Sequence, residues 1–246
     1  IDVAPKKGHR FVMQAFPGGV WSSQDYYISA AGIVLCETTI DQTPFDASGT
    51  PLTSRARKAI QYGDSIDAVA KTLSERNNGL YSNEWLVGDL NTNEIAMFEL
   101  GTKAQKLWRG SKGEWVEGTK GFYWGCNNAK DRAVRVEALP ADEAGDPGDA
   151  GWEPDARDAA WLKLYKAHAG KIDAGFARKA LTDETLAQPT SLDAKYTTAE
   201  LARKLSTHAL YGPPTGKAWK PTPEQKRDHP EIVTLEPHPW TVLGIR

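Results

Sequence analysis

Small polar side chains gather where the apolar runs of this sequence stop. Ser22-Ser23-Gln24-Asp25 follows the turn Pro17-Gly18-Gly19, and Glu37-Thr38-Thr39 closes the run Ile33-Val34-Leu35. Asn83-Glu84-Trp85 opens another run, and Asn127-Asn128 ends Phe122-Tyr123-Trp124-Gly125-Cys126. Neutral amides and hydroxyls at strand ends suit a site that stabilises an oxyanion, because such a donor points N–H or O–H at developing charge with no pKa requirement. The same residue types build turns and caps, so each is explained singly by structure alone. Their recurrence on several strands is what points to chemistry.

The more familiar constellations are missing. There is no GxSxG elbow, glycine-rich phosphate loop, HExxH or dinucleotide fingerprint. The five histidines (His9, His168, His208, His229, His238) are scattered, and His168 falls on an apolar helical face as a core histidine would. The two cysteines, Cys36 and Cys126, have no CxxC or metal spacing, which excludes a disulfide scaffold and a zinc ribbon. Cys36 lies inside an apolar run and reads as a small hydrophobe. Cys126 adjoins Asn127 and has the better claim to reactivity, but no histidine is near it in sequence.

The chain has 246 residues, enough for one large core. Hydrophobic residues make up 40% and charged residues 25%, the balance of a globular domain rather than a fibrous or disordered chain. The net charge of −2 offers no reason to propose a nucleic-acid partner. No apolar run approaches the roughly 18 residues of a membrane span.

Several elements must position the polar groups. The chain opens strand-like at Ile1-Asp2-Val3-Ala4, which raises the expectation of a removed leader or an essential segment elsewhere. Strands are expected at 11–16, at 26–28 paired with 33–35, and at 85–89 paired with 94–100 around Asn91-Thr92-Asn93. Short strands follow at 107–109 and 114–116, and another at 122–126. Thr50-Pro51 predicts a helix start and Gly63 its end. A second helix should begin at Asp64, carry Ile66, Val69, Ala70 and Leu73 on one face, and stop at Asn77-Asn78-Gly79.

Residues 141–155 hold six acidic and no basic residues, but their spacing matches no calcium loop and favours a solvated connector. Beyond it the pattern turns helical. Trp161, Leu164, Tyr165 and His168 share a face, and Thr197 with Glu200 predicts a capping box. The tail 212–246, with seven of the 15 prolines between 212 and 239, should wrap the surface. Strands first and helices afterwards predict a single α+β domain over 1–246.

Pro17-Gly18, Ser22, Asp25-Tyr26-Tyr27, Gly32-Ile33-Val34 and Glu37-Thr38-Thr39 resemble the phospholipase B-like family without a gap. The stretch from Asn77-Asn78-Gly79 through Ser82-Asn83-Glu84-Trp85 to Gly88-Asp89 continues the match, as do Tyr123-Trp124 with Asn127. Asp193-Ala194-Lys195-Tyr196-Thr197 and Gly212-Pro213-Pro214 with Trp219 extend it over nearly the whole chain. More distantly the sequence resembles the choloylglycine hydrolases and the penicillin acyltransferase group.

That resemblance implies an N-terminal-nucleophile (Ntn) hydrolase with a four-layer αββα sandwich and no cofactor or metal. A precursor would cleave itself and expose a catalytic cysteine whose own α-amine serves as base. It implies Asn127, or its neighbour Asn128, as the oxyanion-holding amide, with Asn83 and Thr38 beside it in the catalytic pocket. Ser22, Asp25, Glu37, Trp85 and Asn128 fall on the substrate side. The family's cysteine precedes the Pro-Gly turn on an earlier strand that these 246 residues do not contain, and Ile1 is no such nucleophile. The partner expected is therefore a segment or chain carrying the cysteine, which would cover an otherwise unpaired sheet edge. Family members are often exported or lysosomal.

Three functions are open at this stage. The first is hydrolysis of a linear amide through a cysteine acyl-enzyme. The second is hydrolysis of a lipid ester on the same fold, which needs an elongated apolar pocket. The third is a binding module without catalysis.

Overall fold

The computed structural model describes residues 1–22, 25–138, 151–187 and 191–245. Ser23, Gln24 and most of the acidic connector lie outside them. The frame is an antiparallel sheet of seven strands whose spatial order is their sequence order. These are β1 (Asp2–Val3), β2 (Phe11–Met13), β3 (Tyr26–Ser29), β4 (Ile33–Asp41), β5 (Ser82–Asp89), β6 (Glu94–Leu100) and β7 (Gln105–Arg109). Neighbouring strands follow one another in the chain, with α1 and α2 inserted in the one long connection, between β4 and β5.

Alternation assigns the two faces. Ile33, Leu35, Trp85, Val87, Ala96, Phe98 and Leu100 pack under α1 (Leu52–Tyr62) and α2 (Ile66–Ser74). In α2 the four residues at i, i+3, i+4 and i+7, Ile66, Val69, Ala70 and Leu73, are all buried. Ser65 caps this helix through a 3.3 Å bond from the Ala68 N–H, one residue later than the expected start at Asp64. Pro51 stands at the N-cap of α1 rather than inside its first turn, because Thr50 is drawn into a parallel bridge with Asn77.

The opposite face is built from the second half of the chain. That half supplies α3 (Arg132–Ala138), α4 (Ala156–His168), α5 (Ala174–Leu181), α6 (Ala199–Arg203) and α7 (Pro223–Asp228), of which α4 and α5 cluster with Leu86 and Met97, and α6 with Tyr26 and Ile28. It also carries a second antiparallel sheet with the order β10-β9-β8, formed by β8 (Asp193–Tyr196), β9 (Ser206–Tyr211) and β10 (Thr241–Gly244). The expectation that this half is helices and a wrapping tail is thereby corrected. The tail supplies α7, with Thr222 as its cap, and then β10 pairs with β9 over a contact that no local turn announces. The α6 cap is Thr198, not Thr197, whose hydroxyl instead donates to the Ser206 carbonyl at 2.8 Å. The architecture is α+β.

Two expected strands are absent. Glu114 and Trp115 are irregular, and Val116–Gly118 form a single 3-10 turn. Residues 122–126 have no ladder partner. Phe122, Tyr123, Trp124 and Cys126 are all buried among α4 and α5, so the segment has no solvent face for a half-buried strand to present. Its donors go elsewhere: the Phe122 N–H to the Thr119 carbonyl at 3.0 Å and the Cys126 N–H to Glu84 Oε2 at 3.2 Å.

Between the two sheets lies a cleft of about 740 Å³, with Val12, Gln14 and Tyr26 on one wall and Lys195, Thr207 and Leu243 on the other. Among the described residues no helix is long and apolar enough to cross a membrane.

Candidate functional site

The polar residues singled out in the sequence meet where β3, β4 and β5 end, but on two sides of the sheet. Glu37, Thr39, Asn83 and Trp85 follow the alternation of Leu35 and Val87 toward α1 and α2. Thr38 and Glu84 follow Cys36 and Leu86 toward the other side.

On the first side Glu37, nearly buried, is the hub. Its carboxylate accepts from the Thr39 hydroxyl at 3.1 Å and from the side-chain amide of Asn83. It also shares a hydrogen bond with the carboxyl of Asp25, a residue held at φ +60°. Burial, then this bond and the Asp25 charge, push Glu37 up to about 9. Burial likewise raises Asp25, against the opposing effects of its hydrogen bond with Glu37 and of the Lys195 ammonium on β8. Near neutrality the pair therefore holds a proton between its two carboxyls. Ser22 is wholly buried, and its hydroxyl accepts from the Tyr26 N–H at 3.1 Å while its own N–H donates to Tyr27 Oη at 2.8 Å. That makes Ser22 the brace of the turn entering β3.

On the second side the loop 125–131 lies against the sheet. The Thr38 hydroxyl donates to Glu84 Oε2 at 3.1 Å and accepts from the Asn127 N–H at 3.3 Å. Asn127 is exposed and left-handed, at φ +61°, a conformation asparagine tolerates better than most residues. Its amide Nδ2 donates to the Thr39 carbonyl at 2.7 Å, and its Oδ1 accepts from Arg157 Nη1 at 2.9 Å. Arg157 also reaches the Cys126 carbonyl at 2.5 Å. An amide nitrogen carries two hydrogens, so one of those on Asn127 remains for a ligand oxygen.

Behind the loop is a buried ionic core. Glu84 meets Lys130 Nζ at 2.5 Å, with both side chains almost fully buried, and Asp158 stands 3.9 Å from the same ammonium. Burial raises Glu84 despite the lysine. Burial and the Glu84 charge push Glu99 up to about 8. For Asp158 burial acts upward, but hydrogen bonds from Trp124 and Asn128, with the Lys130 charge, hold it below its ordinary value.

This geometry separates the two adjacent asparagines. The Asn128 amide donates to Asp158 at 2.6 Å and belongs to the scaffold, whereas the Asn127 amide sits at the surface. Trp85, fully buried under α1 and α2, lies in the core beneath the cluster and presents no face to a ligand. This corrects the expectation that Trp85 binds substrate. Asn83 is also buried and reaches the site only through Glu37. Burial pushes the Cys36 thiol up to about 12 and raises Cys126 as well, with the Asp158 charge adding to the effect on Cys126. Neither is a thiolate near neutrality. Sequence reasoning gives no role to Glu99, Lys130 or Arg157, and Glu84 and Lys195 enter only as members of longer motifs. Glu84 and Glu99 were within reach, since counting outward from Asn91-Thr92-Asn93 pairs them across an otherwise apolar hairpin.

A smaller pocket of about 170 Å³ adjoins the loop and is lined by Cys126, Arg157, Trp161, Asp193 and Ala194, among others. Asp193 and Ala194 also line the inter-sheet cleft, so β8 links the Asn127 loop to it. No family model and no curated relative matches the chain. Among solved structures it is similar to an arginine-to-leucine variant of conjugated bile acid hydrolase from Clostridium perfringens. The identity is 12% and the TM-score 0.43, over 85% of this chain and 72% of that one. So distant a likeness leaves the chemistry to the site's own geometry.

Proposed function

We propose that this chain is the scaffold of a cysteine-dependent hydrolase of linear amides, of the Ntn, phospholipase B-like type. In this reading the attacking sulfur is carried by a segment outside these 246 residues. The observation that carries it is the Asn127 amide, held left-handed at the surface by Thr39 and Arg157 with one hydrogen uncommitted. The raised pKa of both resident thiols, and the burial of Cys126, support placing the nucleophile elsewhere. The open cleft between the sheets supports a seat for the segment, whose strand would complete a four-layer sandwich.

The chemistry follows from those parts. The cysteine Sγ attacks the amide carbonyl carbon while its α-amine takes the thiol proton. Asn127 donates to the oxygen as negative charge develops on it. The C–N bond then breaks, the leaving nitrogen takes the proton from the α-amine, and water resolves the acyl-enzyme. Thr38 holds the Asn127 backbone in place, and Asn83 holds the Glu37–Asp25 pair. Ser22 braces the turn entering β3 beside the Asp25–Glu37 pair, and Asn128 holds Asp158 behind the loop.

The apolar lining of the cleft, with Val12, Met13, Leu210, Leu243 and Ile245, favours a second reading as a lipid-ester hydrolase. Mass spectrometry of the protein isolated from its source tests the first reading. We expect a co-purifying chain that begins with cysteine, together with release of amine from N-acyl amino compounds. Full amidase activity from the 246-residue chain alone would defeat it, and release of fatty acid from phospholipid without amidase activity would favour the ester reading.

A further inference from the structure

Like charges directly opposite one another on neighbouring strands repel. Glu84 on β5 and Glu99 on β6 stand in that position, both wholly buried, and burial with the Glu84 charge keeps Glu99 protonated up to about 8. One step along the same face, Leu86 and Met97 occupy the equivalent positions and simply pack. What offsets the cost of two buried glutamates is what they hold. Glu84 accepts from the Cys126 N–H at 3.2 Å, the Thr38 hydroxyl at 3.1 Å and Lys130 Nζ at 2.5 Å. Glu99 accepts from the backbone N–H of Lys130 at 2.6 Å and of Asp131 at 2.8 Å.

These anchors fall on both sides of Asn127. The loop approaches the sheet so closely that a Cβ added at Gly125 would stand 2.7 Å from Glu84 Oε2 and 2.8 Å from Thr38 Cγ2. A left-handed non-glycine residue persists only where its surroundings over-determine it. Here the surroundings are carboxylates of the sheet and the lysine between them.

We propose that Glu84, Glu99 and Lys130 are positioning residues that hang residues 126–131 from the large sheet and thereby set the direction of the Asn127 amide. The proposal rests on the reading of Asn127 as the oxyanion donor. It assigns work to three buried side chains that touch no substrate.

Glu99→Gln is the direct test. Glutamine has nearly the same shape, but one of its two groups is an NH2 that cannot accept from the Lys130 or Asp131 N–H. On the full chain, we expect exchange of those two N–H groups to quicken by about 10-fold or more, while Leu86 and Met97 stay protected. The side-chain amide of Asn127 should lose order in 15N relaxation. With the cysteine-bearing segment present, kcat should fall roughly 10-fold or more with KM within about twofold. Glu84→Gln is the second variant if Glu99→Gln does not fold, read at the Cys126 N–H. Unchanged loop exchange with an unchanged Asn127 amide overturns the proposal. So does a disordered amide with undiminished kcat when Asn127→Ala itself is inactive. If Asn127→Ala turns over normally, the oxyanion reading alone fails, and the relaxation data still decide whether the three residues orient the amide.

Discussion

Lys130→Met isolates the ionic core. The lysine side chain is 2% exposed and that of Glu84 0%, with 2.5 Å between the charges. The ammonium also lies 5.2 Å from the Trp124 ring centroid and 3.9 Å from Asp158. Methionine keeps most of the volume and removes the charge, which leaves Glu84 buried without its cation. Breaking a buried pair from one side costs about 3–5 kcal/mol. For a chain of this size each kcal/mol shifts Tm by about 2–4 °C, so the melt should fall by roughly 6–20 °C.

The deficit has a pH signature. Glu84 in the folded protein already titrates above its ordinary 4.5 through burial, and losing Lys130 raises it further. A carboxyl with a raised folded pKa is neutral in both states below its unfolded value, and its stability contribution is lost as pH rises through the folded one. Lys130→Met should therefore be nearly harmless at a pH below 4.5 and increasingly destabilising above it. The double variant Lys130→Met with Glu84→Gln buries no charge of this pair and should recover most of the loss. Circular-dichroism melts of the four proteins across pH decide the matter. A deficit independent of pH, or single effects that add in the double variant, would refute the argument.

Four more outcomes follow from the same site. Asn127→Ala should lower turnover by roughly 10²-fold if its amide grips the oxyanion. Asn128→Ala should leave kcat unchanged while reducing stability by about 1–3 kcal/mol, because Asp158 loses a buried donor; reversed effects in kinetics and melts would exchange their roles. The Glu37 carboxyl, followed by 13C NMR, should titrate near 9 and move down in Asp25→Asn, which removes the neighbouring carboxyl. Because that pKa is raised, this pair favours folding below about 4.5 and loses its contribution as pH rises toward 9. Titration of Glu37 in the ordinary carboxylate range would show that the two carboxyls do not share a proton. Gly125→Ala should cost about 1–3 kcal/mol, since its Cβ would press on Glu84 and Thr38, and a neutral effect in denaturant titration would mean that the loop stands off the sheet.

Much of the fold was legible because it is local. The meander from β1 to β7 joins strands that follow one another, and the periods of α2 and β4 show which side chains go inward. The polar strand ends at Glu37-Thr38-Thr39 and Asn127-Asn128 could be marked by type and position alone. The β10 pairing with β9 could not, because it joins Thr241 to Ala209 with no turn chemistry to signal it. Residues 122–126 misled because an apolar run reads alike whether it is a buried strand or an aromatic-lined loop, and only a ladder partner separates the two.

The site divides the same way. Residue types supplied amides, hydroxyls and carboxylates suited to gripping a carbonyl. Strand alternation alone sends Glu37 and Thr38, adjacent in the chain, to opposite sides of the sheet. Tertiary structure decided that Asn128 braces Asp158 while Asn127 faces outward. It also decided that Glu84 and Glu99 are buried and need Lys130. Residue type is a property of one position, whereas burial and charge pairing depend on which distant segments the fold brings within a few ångströms, and that is where the pKa values and the direction of the amide are set.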